Sequence, residues 1–114
     1  VILAYQTENK IDQVIKKSHL KKYTSETKVE IPKIMQSLDE IKKMGYAIVI
    51  DELDIGVSSI AAPILDRTRN PVGAISVSAS TNRIRDTIGE EKVLTKAIVA
   101  AAGRISAKLG FFPK

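Results

Sequence analysis

The chain has 114 residues, 44% of them hydrophobic, so it can form one domain, or part of one, with a modest core. It has no cysteine, which excludes a disulfide scaffold and a thiolate metal site and agrees with a cytoplasmic location, and no apolar run approaches the ~20 residues of a membrane helix. The net charge of +5 suggests nucleic-acid binding, but Trp is absent and aromatic residues make up only 4%, so a stacking platform for single strands is not expected.

Two helical patterns occupy the first 45 residues. The apolar start, residues 1–5, is interpreted as the end of a helix or strand that begins upstream. With Thr7 as a candidate N-cap, a short amphipathic helix is predicted over residues 8–17. Residues 16–28 form a polar, Lys-rich stretch, interpreted as a solvated loop in preference to an anion contact. His19, the single histidine, has no second metal or catalytic partner nearby, so a surface position is expected.

The second pattern is an apolar stripe at helical spacing, interpreted as core: Ile31, Ile34, Leu38 and Ile41. Pro32 suits its first turn, and Gly45 suits its C-terminal end. Residues 46–50 (YAIVI) then predict a buried strand. The carboxylates that follow at 51, 52 and 54 lack the spacing of a calcium loop, so a solvated turn is expected and no metal site is predicted.

The most informative stretch is residues 56–80, which predicts a β-hairpin. Apolar runs at 57–65 and 72–79 flank a turn that contains Asp, Asn and Pro. Because side chains alternate along a strand, one face of the first run carries Ile60, Ala62 and Ile64.

The opposite face is small and carries three hydroxyl groups. Pairing Leu65 with Val72 places Ser59 opposite Ser78 and Ala61 opposite Ser76, and a slip of one residue would mix the two faces. The members of this face in the first run are Val57, Ser59, Ala61 and Pro63. Two interpretations remain open: a pocket for a polar ligand, or a sheet close-packed against a helix.

The C-terminal part is predicted to contain one long helix. Residues 81–86 are interpreted as a basic connector, and residues 87–90 fit a capping box. The helix is expected over about residues 89–109, ended by Gly110, with Phe111 and Phe112 as an apolar tail that folds back or contacts another subunit. Its predicted apolar stripe is Leu94, Ile98, Ala101, Ile105 and Leu109.

The ordered motifs resemble the effector-binding domain of IclR-type transcriptional regulators. They are the segment 44–47 (MGYA), the acidic turn, Gly56 and Val57, the segment 60–66 (IAAPILD) and the segment 74–78 (AISVS). The loop with Thr24 and Thr27 and the closing segment 97–110 agree with this resemblance, which covers nearly the whole chain. Val49 is a departure, because the family often has an acidic residue there.

The resemblance implies an α+β fold with a GAF-like or profilin-like antiparallel sheet flanked by helices, incomplete in this chain. Residues 1–114 would be the C-terminal part of the effector-binding domain, without the first strands and the winged helix-turn-helix domain that binds DNA. It also implies a small organic or aromatic acid as effector, self-association as a dimer or tetramer, and no cofactor.

The family positions carry over to four residues that the face pattern also selects: Val57, Ser59, Ser76 and Ser78. The hydroxyl groups of the three serines are predicted to hydrogen-bond a ligand carboxylate. An enzyme is not expected, since no Gly-x-Ser-x-Gly elbow occurs. The alternative function is an oligomerisation or interaction module that binds no ligand.

Overall fold

The computed structural model describes residues 1–89 and 92–113. Within these residues it contains four α-helices and three strands, preceded by a single 3₁₀ turn at Leu3–Tyr5. The elements are α1 (Glu8–Lys17), α2 (Ile31–Met44), β1 (Ala47–Ile50), β2 (Val57–Leu65), β3 (Pro71–Ser80), α3 (Thr81–Gly89) and α4 (Val93–Lys108). The strands form one antiparallel sheet in the order β1-β2-β3, which confirms the predicted α+β class.

Local signals set the ends of the first two helices. The Thr7 hydroxyl accepts a hydrogen bond from the Lys10 N–H at 3.2 Å, so it caps α1 as predicted. Gly45 ends α2 with φ +86°, and its N–H donates to the Ile41 carbonyl at 2.8 Å. The apolar stripe of α2 is less buried than predicted: Ile34, Leu38 and Ile41 are half-buried, and Ile31 is exposed.

The hairpin has the predicted register along most of its length. Ser59 pairs with Ser78 and Ala61 with Ser76, and an irregularity at Leu65 places that residue opposite Pro71 instead of Val72. The bulge shifts the turn end of the hairpin without exchanging the two faces.

The core lies on the sheet face that carries Ile60, Ala62 and Ile64. Ile60 and Ala62 of β2 pack there with Ile84 of α3 and with Ile98 and Ala102 of α4. Ile60 and Ile84 are 0% exposed. The face of β2 that carries Ile60 and Ala62 therefore packs against helices α3 and α4.

The predicted connector at residues 81–86 is wrong, because this segment begins helix α3. The helix starts where the Ser80 hydroxyl accepts a hydrogen bond from the Arg83 N–H at 3.4 Å, and its contact with the core depends on Ile84. An apolar pattern this sparse does not indicate a helix from sequence. Of the predicted capping box, Thr87 lies inside α3 and Glu90 lies outside the described residues.

Helix α4 covers Val93–Lys108, and the predicted identity of its buried face is partly wrong. Its buried residues are Thr95, Ile98, Ala102 and Ser106. Ile105 and Leu109, predicted as core, are 39% and 46% exposed. Compared with the prediction, α4 turns its small and hydroxyl-bearing residues toward the sheet, because these residues allow the helix to approach β2 closely and to form a hydrogen bond with it. None of the described helices is long and apolar enough to cross a membrane.

Candidate ligand-binding face

The four predicted binding residues lie together on the sheet face opposite the core. We call this surface the open face and define it by two rows of paired residues. One row is Val49, Ser59 and Ser78; the other is Ala47, Ala61 and Ser76. Val57 lies on the same face at the start of β2 and is half-exposed.

The hydroxyl groups of this face are available for a ligand. Ser76 and Ser78 are exposed and Ser59 is half-buried, and none of the three forms a side-chain hydrogen bond with the part of the chain that the structure describes. Directly paired residues on neighbouring strands have Cβ atoms about 5 Å apart. Ser59 and Ser78 can therefore donate to the two oxygens of one carboxylate.

Serines on the core face behave differently. The Ser58 hydroxyl is buried and lies 2.8 Å from the Thr81 hydroxyl. The Ser106 hydroxyl donates to the Ala102 carbonyl and accepts from the Leu65 N–H, both at 2.9 Å. Buried polar groups are normally paired in this way. The serines of the open face therefore stand out as hydroxyls without a structural partner in the described chain.

The open face carries no ionisable side chain in its two rows. Val49, on β1, is paired with Ser59 and places an apolar group beside the hydroxyl pair. A carboxylate at this position would repel an anionic ligand. The neutral face, with donors supplied by serine, instead suits a ligand group that accepts hydrogen bonds.

The threonine loop is anchored beside one end of this face. Thr24 donates its hydroxyl to the Asp51 carbonyl at 2.6 Å, and Thr27 donates to the Glu52 carbonyl. The Lys28 ammonium lies 3.3 Å from the Glu52 carboxylate. These contacts attach the loop to the turn between β1 and β2, which leads directly into Val57.

Asp51 joins that turn to the start of α3. Its carboxylate accepts hydrogen bonds from the Thr81 hydroxyl and from the Gly56 N–H. The Thr81 hydroxyl, followed by the Gly56 N–H, lowers the pKa of Asp51 below its usual value. Because a carboxylate can only accept, Thr81 donates to Asp51 and Ser58 donates to Thr81. The acidic turn is thus a structural junction, and the described residues contain no cluster of ligands for a metal ion.

The sequence did not predict this junction, although Asp51 was noted as part of an acidic turn. The Thr81 hydroxyl is 30 positions away from Asp51, and Ser58, which donates to Thr81, is 23 positions away from it. The only local signal is the glycine at position 56, whose φ of +91° turns its N–H toward the carboxylate.

The family described as "Bacterial transcriptional regulator IclR C-terminal" matches residues 1–107. The chain belongs to this family. The IclR resemblance of the ordered motifs is thereby confirmed, and so is the expectation that the chain is not an enzyme, since the relatives named next are regulators.

Two curated regulators of Escherichia coli (strain K12) are similar to this IclR-family chain. It is 27% identical to the HTH-type transcriptional regulator KdgR over 111 residues, which cover 97% of the chain and 41% of KdgR. It is 36% identical to the DNA-binding transcriptional repressor YiaJ over 88 residues, which cover 77% of the chain and 30% of YiaJ. The chain therefore spans less than half the length of these relatives.

The fold is also that of a solved IclR protein. The crystal structure of the Thermotoga maritima IclR superposes with a TM-score of 0.88 at 29% identity, covering 96% of this chain and 44% of that one.

Proposed function

We propose that this chain is the small-molecule sensing part of a cytoplasmic transcriptional regulator, and that its effector binds on the open face. The observation that supports this is the contrast between the serines of the open face and two buried serines on the core side of the sheet, Ser58 on β2 and Ser106 on α4. Ser58 and Ser106 are buried and hydrogen-bonded, whereas Ser59, Ser76 and Ser78 have no side-chain partner in the described chain.

The proposed effector class is a small organic or aromatic acid. Its carboxylate accepts hydrogen bonds from Ser59 and Ser78, and its apolar body lies against Val49, Ala61 and Val57. A hydrogen bond to a charged group contributes about 1.5–3 kcal/mol, so two such bonds can account for most of the specificity for a carboxylate.

In the intact regulator, DNA binding is proposed to belong to a winged helix-turn-helix domain outside residues 1–114. The effector then controls DNA binding by favouring one arrangement of associated subunits, as dimers or tetramers. A ligand can shift such an equilibrium only through different affinities for the two arrangements.

The test is a thermal-shift screen of the protein against small carboxylates and aromatic acids, since a ligand of the folded state raises the melting temperature by mass action. For any hit, we expect Ser59→Ala and Ser78→Ala to weaken the affinity about tenfold each. Ser37→Ala, on α2 and away from the sheet, is the matched control and should leave the affinity unchanged. If the serine variants of the open face bind the hit as tightly as the control, the site is wrong.

A second candidate, an oligomerisation module that binds no ligand, is favoured by the exposed apolar flank of α4. Ile105, on the last turn of α4, and Leu109, directly after its end, are apolar and exposed. In that case Ile105→Glu should shift the protein to a smaller species in light scattering, while no carboxylate changes the melting temperature.

A further inference from the structure

The C-terminal tail that follows α4, residues 110–113, folds back onto the turn between β2 and β3. Gly110 begins the tail with φ +87°. A Cβ added at Gly110 would lie 3.0 Å from the Arg67 Cβ, so the tail runs directly against the turn. Of the two aromatic rings in the tail, that of Phe111 is half-buried and that of Phe112 is 75% exposed.

Arg69 of the turn holds the tail through two contacts. Its guanidinium carbon lies 4.8 Å from the centre of the Phe111 ring, and its Nη1 donates to the Phe112 carbonyl at 3.3 Å. The turn itself is fixed, because the Asp66 carboxylate accepts from the N–H and the hydroxyl of Thr68 at 2.9 and 2.6 Å, and the Arg69 N–H donates to the Asp66 carbonyl at 3.0 Å. One side chain on a fixed turn thus supplies both contacts.

The Phe111 ring is a wall shared by two neighbouring hollows at the turn end of β2. One, of about 200 Å³, lies between the end of β2 and α4, and the other, of about 450 Å³, lies beside α2 and the turn. Tyr5, Leu65 and Phe111 line both. The first hollow is smaller than the ~300–1,000 Å³ of ordinary ligand pockets, whereas the two joined fall within that range. The position of one ring therefore divides a groove of ligand size.

We propose that the tail is a strap, and that its release joins the two hollows into one groove that binds a neutral aromatic group. The ring of Phe111 already lies among the residues that line both hollows, so another ring of similar size can take its place. Ala62, Pro63 and Val99 of the first hollow supply apolar surface that such a ring buries. The ligand competes with the Phe111 ring, so the contacts that hold the strap set the affinity.

The test is a fluorescence titration of the full chain with N-phenyl-1-naphthylamine, a neutral aromatic probe, since the chain has no tryptophan to interfere. Phe111→Ala opens the groove, and we expect it to raise the affinity for the probe at least about tenfold. Phe112→Ala is the matched control. It removes an exposed ring and keeps the carbonyl that accepts from Arg69, so the affinity should stay within about twofold.

Arg69→Gln tests the strap with every core residue in place, and so decides the proposal even if Phe111→Ala lowers stability. Loss of the guanidinium should raise the affinity for the probe about threefold. The Phe111 N–H, which donates to the Ser106 carbonyl at 3.0 Å, should exchange with solvent about threefold faster. Arg67→Gln removes the same charge from the same turn but keeps the Cβ that faces Gly110, so neither quantity should change.

A double variant locates the probe. Gly103 lines the first hollow, and a Cβ added there meets no atom within 4 Å. Gly103→Leu in the Phe111→Ala chain should therefore fill the groove and return the affinity to that of the original chain. If this double variant still binds the probe tightly, the probe lies elsewhere, the open face included, and the groove is wrong. An affinity that Phe111→Ala leaves unchanged, or that Phe112→Ala raises equally, would overturn the strap, and so would equal effects of Arg69→Gln and Arg67→Gln.

Discussion

Replacing Ser106 with alanine tests whether a hydroxyl on α4 holds the helix to the sheet. Ser106 is 3% exposed, and its hydroxyl accepts a hydrogen bond from the Leu65 N–H at 2.9 Å. The variant removes this acceptor and leaves the Leu65 N–H without a partner. An unpaired buried donor costs about 1–3 kcal/mol. Alanine has the higher helix propensity and returns about 0.5 kcal/mol. The net loss of unfolding free energy should therefore be about 0.5–2.5 kcal/mol.

The assay is urea unfolding followed by circular dichroism. With a denaturant slope of about 2 kcal/mol per M, the midpoint should fall by about 0.25–1.25 M. Ser78→Ala is the matched control, because Ser78 is on the open face and has no side-chain partner in the described chain. Its midpoint should stay within about 0.25 M of the original, as for most surface substitutions. Equal midpoints for the two variants would refute the distinction between the bonded and the free serines, and with it the main support for the ligand face.

Three further predictions concern the fold. Ile60→Ala should lower the unfolding free energy by about 2–5 kcal/mol, because Ile60 is 0% exposed, and a loss below 1 kcal/mol in urea unfolding would contradict the assigned core. Gly110→Ala should lower the unfolding free energy by about 2 kcal/mol and Gly45→Ala by about 1 kcal/mol, although both glycines have φ near +87°. Only at Gly110 would the new Cβ lie 3.0 Å from the Arg67 Cβ. Equal melting temperatures for the two variants would show that this contact does not affect stability. The folded protein lowers the pKa of Asp51, so its carboxylate stabilises the fold above the usual pKa of 3.8, and this effect is lost as the pH falls through the lower folded pKa. Asp51→Asn should therefore flatten the acid side of a plot of melting temperature against pH. An unchanged plot would exclude this linkage.

The sequence alone determined the features that depend on neighbouring residues. Thr7 caps α1 and Gly45 ends α2 because each acts on its own helical turn. The pairing of Ser59 with Ser78 followed from alternation on the two strands and from the short turn between them. The assignment of four binding positions to one face follows from the same alternation.

Only the tertiary structure decided which side of α4 meets the sheet. Apolar periodicity favoured Ile105, whereas the structure buries Ser106, because its hydroxyl pairs with a backbone N–H that is 41 positions away. The same rotation buries Thr95, which is 4% exposed. The Asp51 junction likewise unites groups that are distant in the chain. A hydroxyl adds nothing to an apolar pattern, so its burial can be anticipated only when its partner is known. Packing between distant elements supplies that partner.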